Sequence, residues 1–378
     1  MAAAPRWHTD PEAAGLRAAD LERAVALLAA GTADGRHDGA QLYVGRHGRP
    51  VLEYACGVAG PGRPLTPDGL LAWFSASKPV VALAIAWLLD RGLVGLDDPV
   101  RRYLPAFGAG KEACTLRHVL THQGGFAGAA SHADVRPWAE AVAAICAYPA
   151  EYAPGTQAGY HPTAGWIVLA EVVRVVDGRP IERFVAEELF APLGMDGAHM
   201  GIPAARLGPL RPRMALVHRG RAEGEPFVSE AFIAQNNDPA EWSRVRPSGG
   251  IRGPARDLGR FYDMLLAGGR TPEGAPLIDP RSVALFTACH RWGLPDRTLQ
   301  NAALAWGLGF GLYGNADVHP SASRRVFNHS GMVSSVALGD PARGLSCVVL
   351  TTGLLPPLAN ARRLREVNGA VLAACEAP

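Results

Sequence analysis

The chain has 378 residues, 48% of them apolar, and a formal net charge of +2, so it can bury a large core as one elaborate domain or two lobes. No run of Lys or Arg exceeds two residues, which argues against a nucleic-acid partner and leaves small-molecule chemistry as the expectation. The longest apolar stretch, Val80 to Leu89, is too short to span a bilayer, so no membrane partner is expected. Met1 to Gly15 carries Arg6, His8, Asp10 and Glu12 with no apolar core of signal-peptide length, and a soluble cytoplasmic protein is expected. Leu16 to Ala30 then places Leu21, Val25 and Leu28 on one helical face. Gln41 to Gly45 and Val51 to Ala55 read as strands around the turn-prone Arg46 to Arg49.

Helical patterns dominate the middle, at Val135 to Cys146, Trp166 to Val176, Ile181 to Leu189 and Ala255 to Ala267. Gly201 to Gly224 is punctuated by Pro and Gly and carries Arg206, Arg211, Arg213, Arg219 and Arg221; it reads as a solvated loop rather than a substrate clamp. Val333 to Leu338 and Leu345 to Thr351 bracket a turn at Gly339, Asp340, Pro341 and Gly344, and a closing helix carries Leu364, Val367 and Val371. The expected architecture is α/β (α+β), an antiparallel sheet flanked by helices. Residues 1–95 and 251–378 form the mixed lobe, with a mainly helical lobe inserted from 96 to 250. The cysteines at 56, 114, 146, 289, 347 and 375 lack C-x-x-C spacing and are expected to be buried free thiols, not a disulfide frame or a zinc site.

Of the 37 basic residues only Lys78 and Lys111 are lysines. Lys78 closes an S-x-x-K tetrad, Ser75 to Lys78, directly before the apolar run. On a helix, residues three apart lie one above the other, which would bring the Ser75 hydroxyl to the Lys78 amine. A serine there also sits at the positive end of the backbone dipole, where an oxyanion is favoured, and Pro79 is tolerated in the first turn. Serine needs a neighbour to take its proton; a buried lysine can do so and an arginine cannot. Ser75 is the candidate nucleophile and Lys78 its base, against the alternative of a plain helix cap.

Further segments extend the pattern, including Leu116 to Phe126, Pro154 to Tyr160, Ser248 to Arg256, Trp306 to Gly311 and Asn328 to Gly331. In order and spacing the chain resembles the serine β-lactamase and penicillin-binding-protein superfamily, closest to its class C-like esterase branch, the family VIII carboxylesterases. The resemblance implies a β-lactamase-like fold. It also implies that Tyr160 is a second base, its phenol pKa lowered by adjacent Lys78. His329 would stand on the strand beside the nucleophile, Gly331 would let substrate approach the backbone, and the N–H groups of Ser75 and Met332 would form the oxyanion hole.

Two departures bear on substrate. The third position of the Y-x-N motif is Pro162, which has no side-chain donor, and His329 stands where penicillin-recognising members carry lysine. Both favour an ester over a β-lactam or a D-amino-acid peptide. The expectation is a serine hydrolase cleaving a small or medium acyl ester without metal or cofactor; an acyltransferase using the same acyl-enzyme is the alternative. A non-catalytic protein of the same fold would not need the trio of Ser75, Lys78 and Tyr160.

Three other patterns carry less. His118 and His122 have metal-ligand spacing but Val119 stands where a general base would follow. Gly309, Gly311 and Gly314 spell G-x-G-x-x-G without a helix to follow, and read as a tight strand turn. No G-x-S-x-G elbow is present. Trp138, Trp166, Trp242 and Trp306 are candidates either for an acyl pocket or for core packing. The partner is a small acyl substrate; oligomeric state is not legible.

Overall fold

The computed structural model describes residues 4–132 and 136–375. Its centre is a seven-stranded antiparallel sheet drawn from both ends of the chain. The strands are β1 (Arg6–Trp7), β2 (Gly39–Arg46), β3 (Arg49–Gly60), β4 (Arg63–Pro64), β5 (Phe327–Gly331), β6 (Ser335–Asp340) and β7 (Leu345–Thr351), in the order β1-β3-β2-β7-β6-β5 with β4 beside β3. The β2–β3 hairpin turns at His47 and Gly48, both with positive φ (50° and 74°), as a two-residue mirror-image turn requires. The sequence signal at Arg46 to Arg49 thus corresponds to a hairpin longer than expected.

Helices cover both faces of the sheet, so β2, β6 and β7 are buried along nearly their whole length. On one face, helices Ala18–Ala33 and Pro357–Ala374 bring Leu21, Leu28, Leu364, Val367 and Val371 against Leu42, Val44, Val349 and Leu338. On the other, helix Ala255–Leu266 packs with Tyr43, Ala337 and Val348. The apolar run becomes helix Lys78–Asp90, buried on all sides from Lys78 to Leu88, and it packs against helix Ala164–Asp177. Full burial of each large aliphatic there, such as Leu83 or Ile85, contributes about 1.5–3 kcal/mol.

Several expectations are corrected. The segment 201–224 is not simply a solvated loop. It contains helix Ala204–Leu210 and strand His218–Arg219, and it buries Ile202, Leu210, Met214 and Val217. Arg63 anchors it by donating to the carbonyls of Pro212 (2.9 Å) and Met214 (3.0 Å). The helix expected at 181–189 is α-helical only over Ile181–Val185 and then widens into a π-turn over Ala186–Phe190. The helix expected from Val135 runs over Trp138–Ala147, Val135 itself lying outside the described residues. Val333 belongs to a turn, not to the strand that starts at Ser335. All six cysteines are free, but Cys289 is exposed rather than buried. Among the described residues, no helix is long and apolar enough to cross a membrane.

Candidate active site

The turn that carries Ser75 is held from three sides. Strand Leu71–Ala72 pairs with Ile251–Gly253, and Trp73 continues the contact through N–H to Ile251 O (3.0 Å) and Nε1 to Gly253 O (3.0 Å). Phe74 then takes φ +50°, a left-handed conformation that costs a non-glycine residue about 1–3 kcal/mol and persists only where its surroundings impose it. It opens a 3-10 turn, Phe74–Ser77, that runs into the buried helix. Residues three apart eclipse in such a turn. Lys78 Nζ accordingly lies 2.9 Å from Ser75 Oγ, and it donates to Ser248 O at 2.8 Å. Lys78 is fully buried, with the Tyr160 and Trp166 rings 5.1 and 5.7 Å from its ammonium, whereas Ser75 is partly open to a cavity.

Tyr160 reaches the same point from a loop fixed by a buried ion pair. Its N–H donates to Asp296 Oδ1 (2.9 Å), and Asp296 pairs with Arg291 at 3.1 Å, neither side chain being exposed. Its ring lies 4.5 Å from that of His122, whose Nδ1 accepts the His161 N–H at 3.0 Å. The expected lowering of the Tyr160 phenol is corrected. Burial pushes its pKa well above the ordinary value, the hydrogen bond with Ser75 pulls part of the way back, and Asp296 pushes it further up. Desolvation of the phenolate outweighs its favourable contacts, so Tyr160 rests as a neutral phenol.

His329 stands on β5, the edge strand, and also lines the cavity. Burial, then the charge of Lys78, push its pKa down to about 3, so the ring is neutral at ordinary pH. Nδ1 lies 2.8 Å from Ser330 O and must donate there, which leaves Nε2 as an acceptor without a hydrogen-bond partner among the described residues. Gly331 has a structural reason to be glycine. A Cβ would come within 2.1 Å of Trp73 O, so β5 can lie against the Ser75 turn only without a side chain. Met332 and Val333 line the cavity, and Val333 adopts φ +43°, exceptional for a β-branched residue. The buried Arg363 braces this turn, donating to Val333 O (3.2 Å) and Gly353 O (3.0 Å).

The cavity that joins these groups measures about 320 Å³ and is walled by Phe227, Leu299, Leu304, Trp306, Leu312 and Tyr313, with Asn315, Asp317 and Ser330 as its polar part. Of the four tryptophans singled out in the sequence only Trp306 lines it; Trp138, Trp166 and Trp242 pack elsewhere. The five arginines of 201–224 do not line it either. With nucleophile, amine, phenol and cavity converging, comparison with known proteins becomes informative. The Beta-lactamase family model matches residues 24–371.

The chain belongs to the beta-lactamase family. Esterase/beta-lactamase LipL of Mycobacterium tuberculosis (strain ATCC 25618 / H37Rv) is 30% identical over 348 residues, which cover 85% of this chain and 79% of LipL. Among solved structures, a family VIII carboxylesterase aligns with a TM-score of 0.80 at 25% identity, over 93% of this chain and 98% of its own. A penicillin-binding protein homologue from Caulobacter crescentus aligns with a TM-score of 0.78 at 29% identity, over 94% and 99%. The fold is β-lactamase-like, as the resemblance implied.

Within this family fold the sequence motifs that resembled other sites serve the scaffold. His118 closes a capping box with Thr115 at the start of helix Leu116–Leu120, and His122 faces Tyr160. Gly309 lies where a Cβ would meet the Ala82 Cβ at 2.5 Å, so this G-x-G-x-x-G lets a loop touch the nucleophile's helix. Three contributors escaped sequence reading, namely the Ser248 carbonyl, Asp317 and Arg363, and a fourth, His122, stood out there only for its metal-ligand spacing. A backbone carbonyl leaves no residue-type signal, and the other three reach the site only through tertiary folding.

Proposed function

We propose that this protein hydrolyses small or medium acyl esters through an acyl-enzyme on Ser75. Family membership, with esterases among its relatives, makes it a serine hydrolase of the carboxylesterase type. The observation that carries the site assignment is the 2.9 Å approach of the buried Lys78 amine to a Ser75 hydroxyl that opens onto the cavity. In the proposed sequence Lys78, in its neutral form, takes the Ser75 proton as Oγ bonds to the ester carbonyl carbon. The ester C–O bond then breaks, and the leaving alkoxide takes the proton of the Tyr160 phenol, which Lys78 restores. Water repeats the steps in reverse to release the acid.

The neutral state of Tyr160 supports the acid role, since a phenolate would have no proton to give. The N–H groups of Ser75 and Met332, two residues that line the cavity, are the proposed oxyanion donors. His329, uncharged and with an acceptor nitrogen that has no hydrogen-bond partner among the described residues, is proposed to orient substrate or the phenol. Incubation with 4-nitrophenyl butyrate, read by intact-protein mass, tests the proposal. A butyryl adduct that maps to Ser75 and is absent from Ser75→Ala is expected; release of 4-nitrophenol that persists unchanged in Ser75→Ala contradicts it. Added alcohols that accelerate product release at fixed donor would assign transfer rather than hydrolysis as the second half-reaction.

A further inference from the structure

Among the described residues that line the cavity, Asp317 is the only one whose side chain carries a formal charge at neutral pH. Lys78 lies behind Ser75, out of reach of solvent, and His329 is neutral. The position of Asp317 is fixed from several sides. Its N–H donates to Asn315 Oδ1 (2.9 Å), its carbonyl accepts from Asn368 Nδ2 (2.8 Å), and its Oδ1 accepts from Asn360 Nδ2 at a longer 3.3 Å. Ser330 accepts from Asn315 Nδ2 at 3.2 Å and hydrogen-bonds the Asp317 carboxylate in turn.

Two arginines, Arg363 and Arg365, are near enough to act on its charge, but neither forms an ion pair with it among the described residues. Arg363 donates to the carbonyls of Val333, Gly353 and Arg36 and to Asn360 Oδ1, and Arg365 donates to Ala361 O. Among the described residues Asp317 forms no ion pair. Burial accordingly holds its acid above the ordinary range despite Ser330 and the two arginines. A carboxylate that is desolvated, positioned and without a direct ion pair still gains from a cation arriving with the substrate.

We propose that Asp317 forms a cation-accepting subsite, so that preferred esters carry an ammonium nitrogen in the acyl or alcohol half and esters bearing a carboxylate are rejected. The proposal rests on the ester reading above. Leu299, Leu304, Trp306 and Leu312 provide the apolar stretch that the methylenes between ester and ammonium would cross. Discrimination against anions follows from the same charge, because a substrate carboxylate would meet Asp317 with no cation in the cavity to offset it.

Two matched pairs test it by kcat/KM ratio. Butyrylcholine is compared with 3,3-dimethylbutyl butyrate for the alcohol half, and 4-nitrophenyl 4-aminobutanoate with 4-nitrophenyl pentanoate for the acyl half. In the native protein at least one ratio should reach about tenfold in favour of the cation, falling towards unity in Asp317→Asn. Ratios near or below one for both pairs, or a preference unchanged in Asp317→Asn, overturn the proposal. Because each ratio is taken within one variant, a general loss of activity cancels; should Asp317→Asn not fold, the native ratios decide. Calorimetric titration with butyltrimethylammonium separates the two readings. Binding retained by Ser75→Ala and weakened about tenfold by Asp317→Asn, in a protein that turns over no ester, would remove the proposed function and keep the subsite.

Discussion

Lys78 and Lys111 are the only lysines of the chain, and both are fully buried. Lys111 donates to the carbonyls of Gly108 (2.7 Å), Cys146 (3.3 Å) and Tyr148, tying the start of one loop to the end of helix Trp138–Ala147. Carbonyls accept protons in hydrogen bonds but have none to give. Lys78 spends one contact on such a carbonyl, at Ser248, and another on the Ser75 hydroxyl, which can surrender its proton. The same side chain under the same burial is therefore a clamp in one region and a proposed base in the other, and the difference lies in the partner atom. An ammonium serves both places, whereas a guanidinium, which clamps carbonyls at Arg63 and Arg363, could not give up its proton at position 78.

Substitutions that keep charge at one lysine and remove it at the other sharpen this contrast. Lys78→Arg should lower kcat by about a thousandfold or more on 4-nitrophenyl esters while the circular dichroism spectrum stays native, because arginine retains the charge but not the removable proton. Tyr160→Phe should lower kcat by about 10²–10⁴, the range of a lost general acid, with a smaller change in KM. Lys111→Met should do the opposite. It leaves three buried carbonyls without their donor, and a stability loss of about 2–4 kcal/mol by denaturant titration is expected, with kcat per folded molecule unchanged.

A pH series gives the smallest effect and still separates the two regions. Burial pushes His37, His161 and His329 down to about 3 and pushes His122 down as well, and Lys78 adds to the depression of the last three. Each is neutral when folded but takes up a proton near pH 6.5 when unfolded, so its stabilisation is complete above that pH and is lost as the pH falls towards 3. Asp257 and Asp263, pushed up to about 6 by burial, act in reverse. They bind protons when folded between about pH 6 and 4, and acidification there favours the folded state. With His199, pushed down to about 4 by burial, five imidazoles stand against two carboxyls, so unfolding near pH 5 takes up protons on balance and stability falls as the pH is lowered there. His329→Gln should flatten that slope by about one proton; an unchanged slope contradicts the neutral assignment of this ring.

What was legible in the sequence was local. Ser75 and Lys78 are three residues apart, so their contact needed only a helical turn, and the hairpin at His47 and Gly48 needed only its own turn chemistry. The resemblance pointed to Tyr160, which the fold brings beside Ser75 from 85 positions away. The direction of its titration is not legible in sequence because burial is a property of the whole fold, and here it outweighs the hydrogen bond with Ser75. The segment 201–224 reads as solvated because Pro, Gly and Arg dominate it, while Leu210, Met214 and Val217 are buried on no common element: the helix ends at Leu210 and a strand begins only at His218. Arg363 and Asp317 gave no signal at all, since one acts through backbone carbonyls and the other through its position on a cavity wall.

The rate at which Ser75 is acylated in a single turnover tests the central claim most directly. Intact-protein mass after rapid mixing with 4-nitrophenyl butyrate should show the adduct forming at native rate in Lys111→Met and not forming on that timescale in folded Lys78→Arg. Acylation of Lys78→Arg at a rate close to native would show that the amine at position 78 does not take the serine proton.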